Sequence, residues 1–362
     1  MEATVPVQKN RIKTFDSVRA AAMIAVFLFH VGYLFSYSPD SIINFQRLIY
    51  FSGTVGVSIF FVLSGFLLFY QMYKNNEPLN KKRLWEYVKK RSLRILPLYY
   101  FSLFFIVLVL RHDILFGDGG ARTIINNILF IRDIRPDGAP KLTINPVYWS
   151  LVIEIHFYVL LPIFYYIFYK LQKVYWFFLI ALLGILYRSI LVFVVGDPSM
   201  QFLRFTPANF DFFAFGMLGA YLYIHRGRWF GYLGKTYIQV FSLLALVLFV
   251  RFYDLDFLPT VSYIFAAPIL GLLVTFSMLS FLANEGTLFA RIGNSRPILF
   301  IAQISFSIYI WHAIIFGYVE MLAVSNFIKV ILNIGITLVV SVITYYLIEA
   351  PFLKLKQKKS SS

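Results

Sequence analysis

The sequence predicts an all-α integral membrane protein: about ten transmembrane helices in a single bundle, with both termini cytoplasmic. Three observations carry this. Of 362 residues, 60% are hydrophobic and only 14% are charged, against roughly 25% charged in a soluble domain. Apolar runs of roughly 18 or more residues recur from end to end, the length that spans a bilayer. Lys and Arg concentrate in alternate gaps between those runs, which is how cytoplasmic loops are marked. That pattern accounts for most of the net charge of +16, so no nucleic-acid partner is expected. The chain has no cysteine, which excludes disulfides, cysteine nucleophiles and thiolate metal sites. No metal is expected at all. The chain reads as a single domain over 1–362, with no soluble domain before the first span or after the last.

The spans fall near 18–36, 52–73, 94–111, 148–169, 174–195, 207–224, 236–252, 260–282, 298–320 and 327–349. With the N-terminus inside, the cytoplasmic segments hold Lys9, Arg11, Lys13 and Arg19, then eight basic residues between Lys74 and Arg94. They also hold Lys170 and Lys173; Arg226, Arg228 and Lys235; Arg291 and Arg296; and Lys354, Lys356, Lys358 and Lys359. Twenty-three of the 33 basic residues lie on that side.

The first run, DSVRAAAMIAVFLFH at 16–30, lacks a small-residue cleavage site and is long enough to span, so it reads as a helix and not a signal peptide. In it Arg19 and His30 stand eleven residues apart, about 16 Å along a helix axis. Arg19 then sits at one membrane face and His30 near the middle. A histidine at that depth is costly and by default marks a functional site. The plainer alternative is a histidine satisfied by a neighbouring helix.

In the second span, SGTVGVSIFFVLSGFLLFY at 52–70, the glycines and serines allow close helix packing. Ser64 lacks the strand–turn–helix setting of a nucleophile elbow. Next, KKRLWEYVKKRSLRILPLYY at 81–100 sets Arg91 and Arg94 on one helical face at the cytoplasmic end. Two guanidinium forks so placed hold phosphates well. A basic flank touching anionic lipid is the commoner meaning of such a pair taken alone. Pro97 is expected to bend this helix.

The external loop from Arg111 to Val147 carries Asp113, Asp118, Asp133 and Asp137, with Gly and Pro at GDGG and RPDGAP. A segment of that length without periodicity is usually functional or mobile, and a lid over an external acceptor is one reading. It leads into NPVYWSLVIEIHFYVLLP at 145–162, where Glu154 needs a partner or a wet cavity. His156 points to another face. Glu154 and His30 fall at similar depth, so they are expected to meet as a base and the group orienting it. Arg188 and Asp211 interrupt the apolar middle spans without a role the sequence assigns. The ninth span, LFIAQISFSIYIWHAIIF at 299–316, has a polar side and His312 near its centre. Glu349, in SVITYYLIEAPFLKLK at 341–356, reads as a cap or as a partner of Arg91 or Arg94.

Six stretches in order, DSVRAAAMIAVFLFH, GVSIFFVLSGFLL, KRSLRILPLYY, YWSLVIEIHFY, ISFSIYIWH and ITYYLIEAPF, resemble the membrane acyltransferase-3 family, typified by bacterial O-acetyltransferases of surface polysaccharides. Together they run from residue 16 to 352. The resemblance implies a membrane O-acyltransferase, expected to be an O-acetyltransferase, in a bacterial cytoplasmic membrane. It implies transfer from cytoplasmic acyl-coenzyme A, with acetyl-coenzyme A the expected donor, to a hydroxyl of a cell-surface or lipid-linked carbohydrate. By similarity His30 is the general base, and Glu154 the orienting carboxylate or a second acid–base group. Arg91 and Arg94 match the family's R-x-x-R motif and would hold the donor phosphates, with Arg19 helping to anchor the donor or the mouth of its channel. Two departures are Ala302-Gln303, where the family often has glycine, and the missing SGNH hydrolase-like domain of some relatives. The alternative class is a glycolipid transporter or flippase without acyl transfer, for which the hydropathy shows no inverted repeat.

Overall fold

The computed structural model describes residues 12–32, 34, 45–131, 143–196, 200–254 and 259–357. Among them every regular element is helical. Ten helices fall where the apolar runs predict them: α1 (Lys13–Gly32), α2 (Phe45–Tyr73), α3 (Lys81–Phe105), α4 (Tyr148–Leu171), α5 (Tyr175–Ile190), α6 (Phe210–Ile224), α7 (Thr236–Asp254), α8 (Pro259–Ala283), α9 (Arg296–Glu320) and α10 (Asn326–Thr344). Wide π-type turns extend α3 to Leu110, α5 to Val195 and α10 to Glu349. Lys9, Arg11, Asp133, Asp137, Lys358, Lys359 and the RPDGAP segment lie outside the described residues.

Eight of these helices are long and apolar enough to cross a membrane among the described residues. The expected count of ten therefore rests on α6 and α7. At 15 residues, α6 rises about 22 Å, short of a hydrocarbon core of roughly 30 Å. Every residue from Asp211 to Ala220 in it is buried. A helix apolar on all sides belongs inside a bundle, and α6 is packed between α2, α5 and α8. In α7 the apolar part covers Thr236–Val250.

Glycine sets the approach of α2 to its neighbours. A methyl group on Gly65 would stand 2.4 Å from the Phe213 carbonyl oxygen, and one on Gly216 would stand 2.1 Å from that of Val62. On the other side of α2, a methyl on Gly56 would be 2.6 Å from the Ala22 carbonyl oxygen of α1. Helices in lipid gain contact energy by such backbone approach because apolar side chains gain little by leaving the tails. Outward, residues such as Leu108, Val159, Phe193, Val194 and Leu347 are more than half exposed and form the apolar coat that a bilayer covers.

The basic stretch before the third span forms the first half of α3, capped where the Asn80 side chain accepts from the Arg83 backbone N–H. Pro97 lies within that helix. The described half of the long loop is ordered by short helices, Asp113–Phe116 and Gly120–Ile128. Tyr99 and Tyr100 of α3 donate to the carbonyls of Asn127 and Ile128, at 2.8 and 3.0 Å. This half of the loop is docked on α3.

Candidate active site

Four of the five candidate residues converge. Arg19 from α1, Arg91 and Arg94 from α3, and Glu154 from α4 line one cavity of about 120 Å³, together with Ser64 of α2 and Ser305 and Tyr309 of α9. Arg91 and Arg94 share a face of α3 as their spacing requires. Each guanidinium has a different hold. Arg94 Nη1 donates to Glu349 Oε1 at 2.6 Å, while Ser307 Oγ donates to the other carboxylate oxygen at 2.9 Å. Glu349 is thus a pairing partner of Arg94, one of the alternatives its position allowed. Arg19 pairs with Asp16 at 3.1 Å. Arg91 donates through Nη2 to the neutral Gln71 at 2.9 Å, and its buried Nε has no partner. Arg19 and Arg94 each pair with a carboxylate, whereas the described bond of Arg91 goes to a neutral amide, which leaves the Arg91 charge available to an anion.

Glu154 does not meet His30. Its Oε1 accepts from Ser64 Oγ at 2.8 Å and from Tyr158 OH at 2.5 Å. Tyr158 is one turn along α4 from Glu154, and that spacing was a readable signal for the pair. Ser64 belongs to another helix, and nothing in the sequence ties it to Glu154. His156 turns away as expected, its ring nitrogens lying 2.7 Å from Thr206 Oγ1 and 3.0 Å from the Phe130 carbonyl.

His30 lines a second, larger cavity of about 670 Å³ bordered by α1, α2, α5, α6, α7, α8 and the start of α4. Its walls are mostly apolar, with Trp149, Arg204 and Asn209 among the polar or amphipathic groups. The Arg204 guanidinium lies 5.2 Å from the Trp149 ring centre. Val57, Phe61 and Tyr309 line both cavities. The two spaces are therefore neighbours, separated by those side chains. Tyr309 is held in that wall by a hydrogen bond to Ser150 Oγ.

The His30 Nδ1 lies 3.0 Å from the Val26 carbonyl one turn back in its own helix. A carbonyl there fixes the Nδ1–H tautomer and leaves Nε2 as the proton acceptor. The His30 ring approaches that of His312 at 4.7 Å between centres. His312 was visible in the sequence as an intramembrane histidine. Its contact with α1 was not, because helical spacing carries no information about which helices adjoin.

Arg188 and Asp211 form a buried pair. Arg188 donates to Asp211 Oδ2 at 2.5 Å, to the Ala208 carbonyl at 2.5 Å and to the Ile264 carbonyl at 2.9 Å. All three donor nitrogens are engaged, and the pair ties α5, α6 and α8 into one wall of the histidine cavity.

A helical membrane bundle that gathers guanidinium groups around one cavity and imidazoles beside the next has the equipment of an integral membrane group-transfer enzyme. The chain belongs to the acyltransferase-3 family of acyl-transferring enzymes, whose acyltransferase-domain profile matches residues 12–348. It is 26% identical over 394 aligned positions to the peptidoglycan O-acetyltransferase OatA of Listeria monocytogenes, covering 98% of this chain and 58% of that protein. It is 24% identical over 367 positions to the O-acetyltransferase OatA of Staphylococcus aureus, covering 94% of this chain and 57% of that one. The chain thus spans less than two thirds of the length of these relatives. No solved structure matches it.

Proposed function

We propose that this chain is an O-acetyltransferase that takes an acetyl group from cytoplasmic acetyl-coenzyme A and delivers it to a hydroxyl of a cell-surface or lipid-linked carbohydrate. The observation that carries this reading is the adjacency of the two cavities through Val57, Phe61 and Tyr309. Arg91 and Arg94, with Arg19 beside them, hold the donor phosphates on the cytoplasmic side. The pantetheine arm reaches past Tyr309 toward His30, and the carbohydrate enters the larger cavity from the other side. His30 Nε2 takes the proton of the attacking hydroxyl. The oxygen–carbon bond forms, the carbon–sulfur bond breaks, and the thiolate leaves with that proton. Glu154 acts as the carboxylate of the donor cavity, ordering Ser64 and Tyr158. The name of the Listeria monocytogenes relative extends the acceptor to peptidoglycan, and the bilayer would be a bacterial cytoplasmic membrane.

The test is a thiol assay. Purified protein in proteoliposomes, given acetyl-coenzyme A and peptidoglycan fragments, is expected to release coenzyme A only when the acceptor is present, with acetyl ester appearing on the sugar. Ester formed from another donor, without coenzyme A release, would overturn the donor assignment. Absence of both, with movement of a lipid-linked glycan across the bilayer, would favour the flippase.

Orientation has its own expected result. In the cysteine-free chain, a cysteine at Asp118 should react with an impermeant maleimide in intact cells. One at Asn75 should react only after lysis. Asn75 is exposed and suits the purpose better than Asn76, whose φ of 49° disfavours a cysteine. Labelling of Asn75→Cys from outside would invert the donor-inside scheme.

A further inference from the structure

We infer that His312 shares, through its Nε2, the proton that His30 takes from the acceptor hydroxyl, so that transfer runs on a pair of imidazoles. The inference rests on His30 as the base. His312 is 1% exposed, and its Nδ1 lies 3.1 Å from the Ile308 carbonyl and 2.9 Å from that of Tyr309. Those carbonyls hold the hydrogen on Nδ1 and make Nε2 the acceptor. That Nε2 is buried with no hydrogen-bond partner. A buried polar atom left unpaired carries a free-energy cost and needs an explanation.

The surroundings supply one. Phe29 and Phe316 stand against the His30 ring at 5.0 and 6.0 Å, and Tyr309 against the His312 ring at 5.6 Å. Among the described residues neither imidazole is hydrogen-bonded to a carboxylate. A cation formed on His30 would stand in apolar company, where an unpaired charge is strongly disfavoured. The basic group packed against it is the His312 ring, 4.7 Å away between centres with the planes at 84°, and its Nε2 is unpartnered, so a small ring rotation completes a single N–H···N bond. Before proton transfer both Nε2 atoms are acceptors and cannot bond. Afterwards His30 Nε2–H donates to His312 Nε2, a charge-assisted bond that exists only once the proton has moved. An interaction made only then lowers the barrier without tightening substrate binding. The proton next goes to the departing thiolate, and both rings return to neutral. His312 is a positioning residue, acting through His30.

His312→Phe tests this, because it keeps the ring and removes the unpaired nitrogen. The variant is expected to melt no lower than wild type in detergent, yet to lose about 10- to 150-fold in kcat, the span of one charge-assisted hydrogen bond. KM for donor and acceptor should hold. His312→Gln, which offers an acceptor oxygen, should recover part of the rate. His30→Ala with His312→Phe should be no slower than His30→Ala alone. Wild-type kcat in His312→Phe beside an inactive His30→Ala would overturn the pair and leave the base standing. The pair is overturned equally if kcat falls only in step with the folded fraction in both His312 variants. Full activity in His30→Ala would remove the base itself, and the pair with it.

Discussion

His30→Ala is expected to lower acyl transfer by about 100- to 10,000-fold, the range a positioned general base supplies, while the protein still inserts and accumulates. The structure gives both halves of that expectation a cause. The hydrogen bond His30 makes is to the Val26 carbonyl within its own helix, so alanine breaks no hydrogen bond between helices and removes only ring contacts with His312 and Phe316, and alanine favours the helix. The side chain lines a cavity of about 670 Å³ that already exists, so truncation widens a space instead of opening an enclosed void in packed core. Activity is lost because, among the described residues, His30 is the one histidine lining that cavity and no carboxylate lines it. Quantitative glycan analysis on matched amounts of wild type and variant, with the thiol assay alongside, reads the outcome. Normal product from well-accumulated His30→Ala would remove the assignment.

The positions of the helices were legible because lipid imposes one length and one composition on every span. All ten apolar runs are helices, and departures occur where burial replaces lipid as the reason for being apolar. The short α6 is such a place. The R-x-x-R spacing fixed a shared face for Arg91 and Arg94, and Glu349 was readable as a partner at the same end. Relations between distant helices were not legible. Glu154 and His30 are expected at matching depth from the sequence, but depth is one coordinate of three, and the structure sends Glu154 to Ser64 and His30 to His312. The π-type turn at Tyr345–Glu349, which precedes the Arg94 contact, has no sequence signature comparable to a cap. The long loop read as aperiodic because its helices, Asp113–Phe116 and Gly120–Ile128, are too short to show a period.

The arginines carry the second large effect, and the structure changes how it must be measured. Substituting Arg94 alone would strand Glu349, whose side chain is 1% exposed. Leaving one member of a buried pair costs about 3–5 kcal/mol, so Arg94→Ala would lose folded protein and say little about the donor. Arg91 is free of that constraint, since its bond is to neutral Gln71 and its Nε is already without a partner. Arg91→Ala is therefore expected to weaken coenzyme A binding by about 10- to 150-fold, one charge-assisted contact, with acceptor binding unchanged. Arg94→Gln combined with Glu349→Gln keeps a neutral hydrogen-bonded pair in place and removes the second guanidinium. Added to Arg91→Ala, it should lower donor affinity again by a similar factor while the melting temperature stays near that of Arg91→Ala alone. Calorimetric titration of coenzyme A into detergent-solubilised protein measures each step. If donor affinity stays at the wild-type value through the triple variant, the guanidinium groups serve the anionic lipid surface, and the phosphates of the donor must be held by other groups of this bundle.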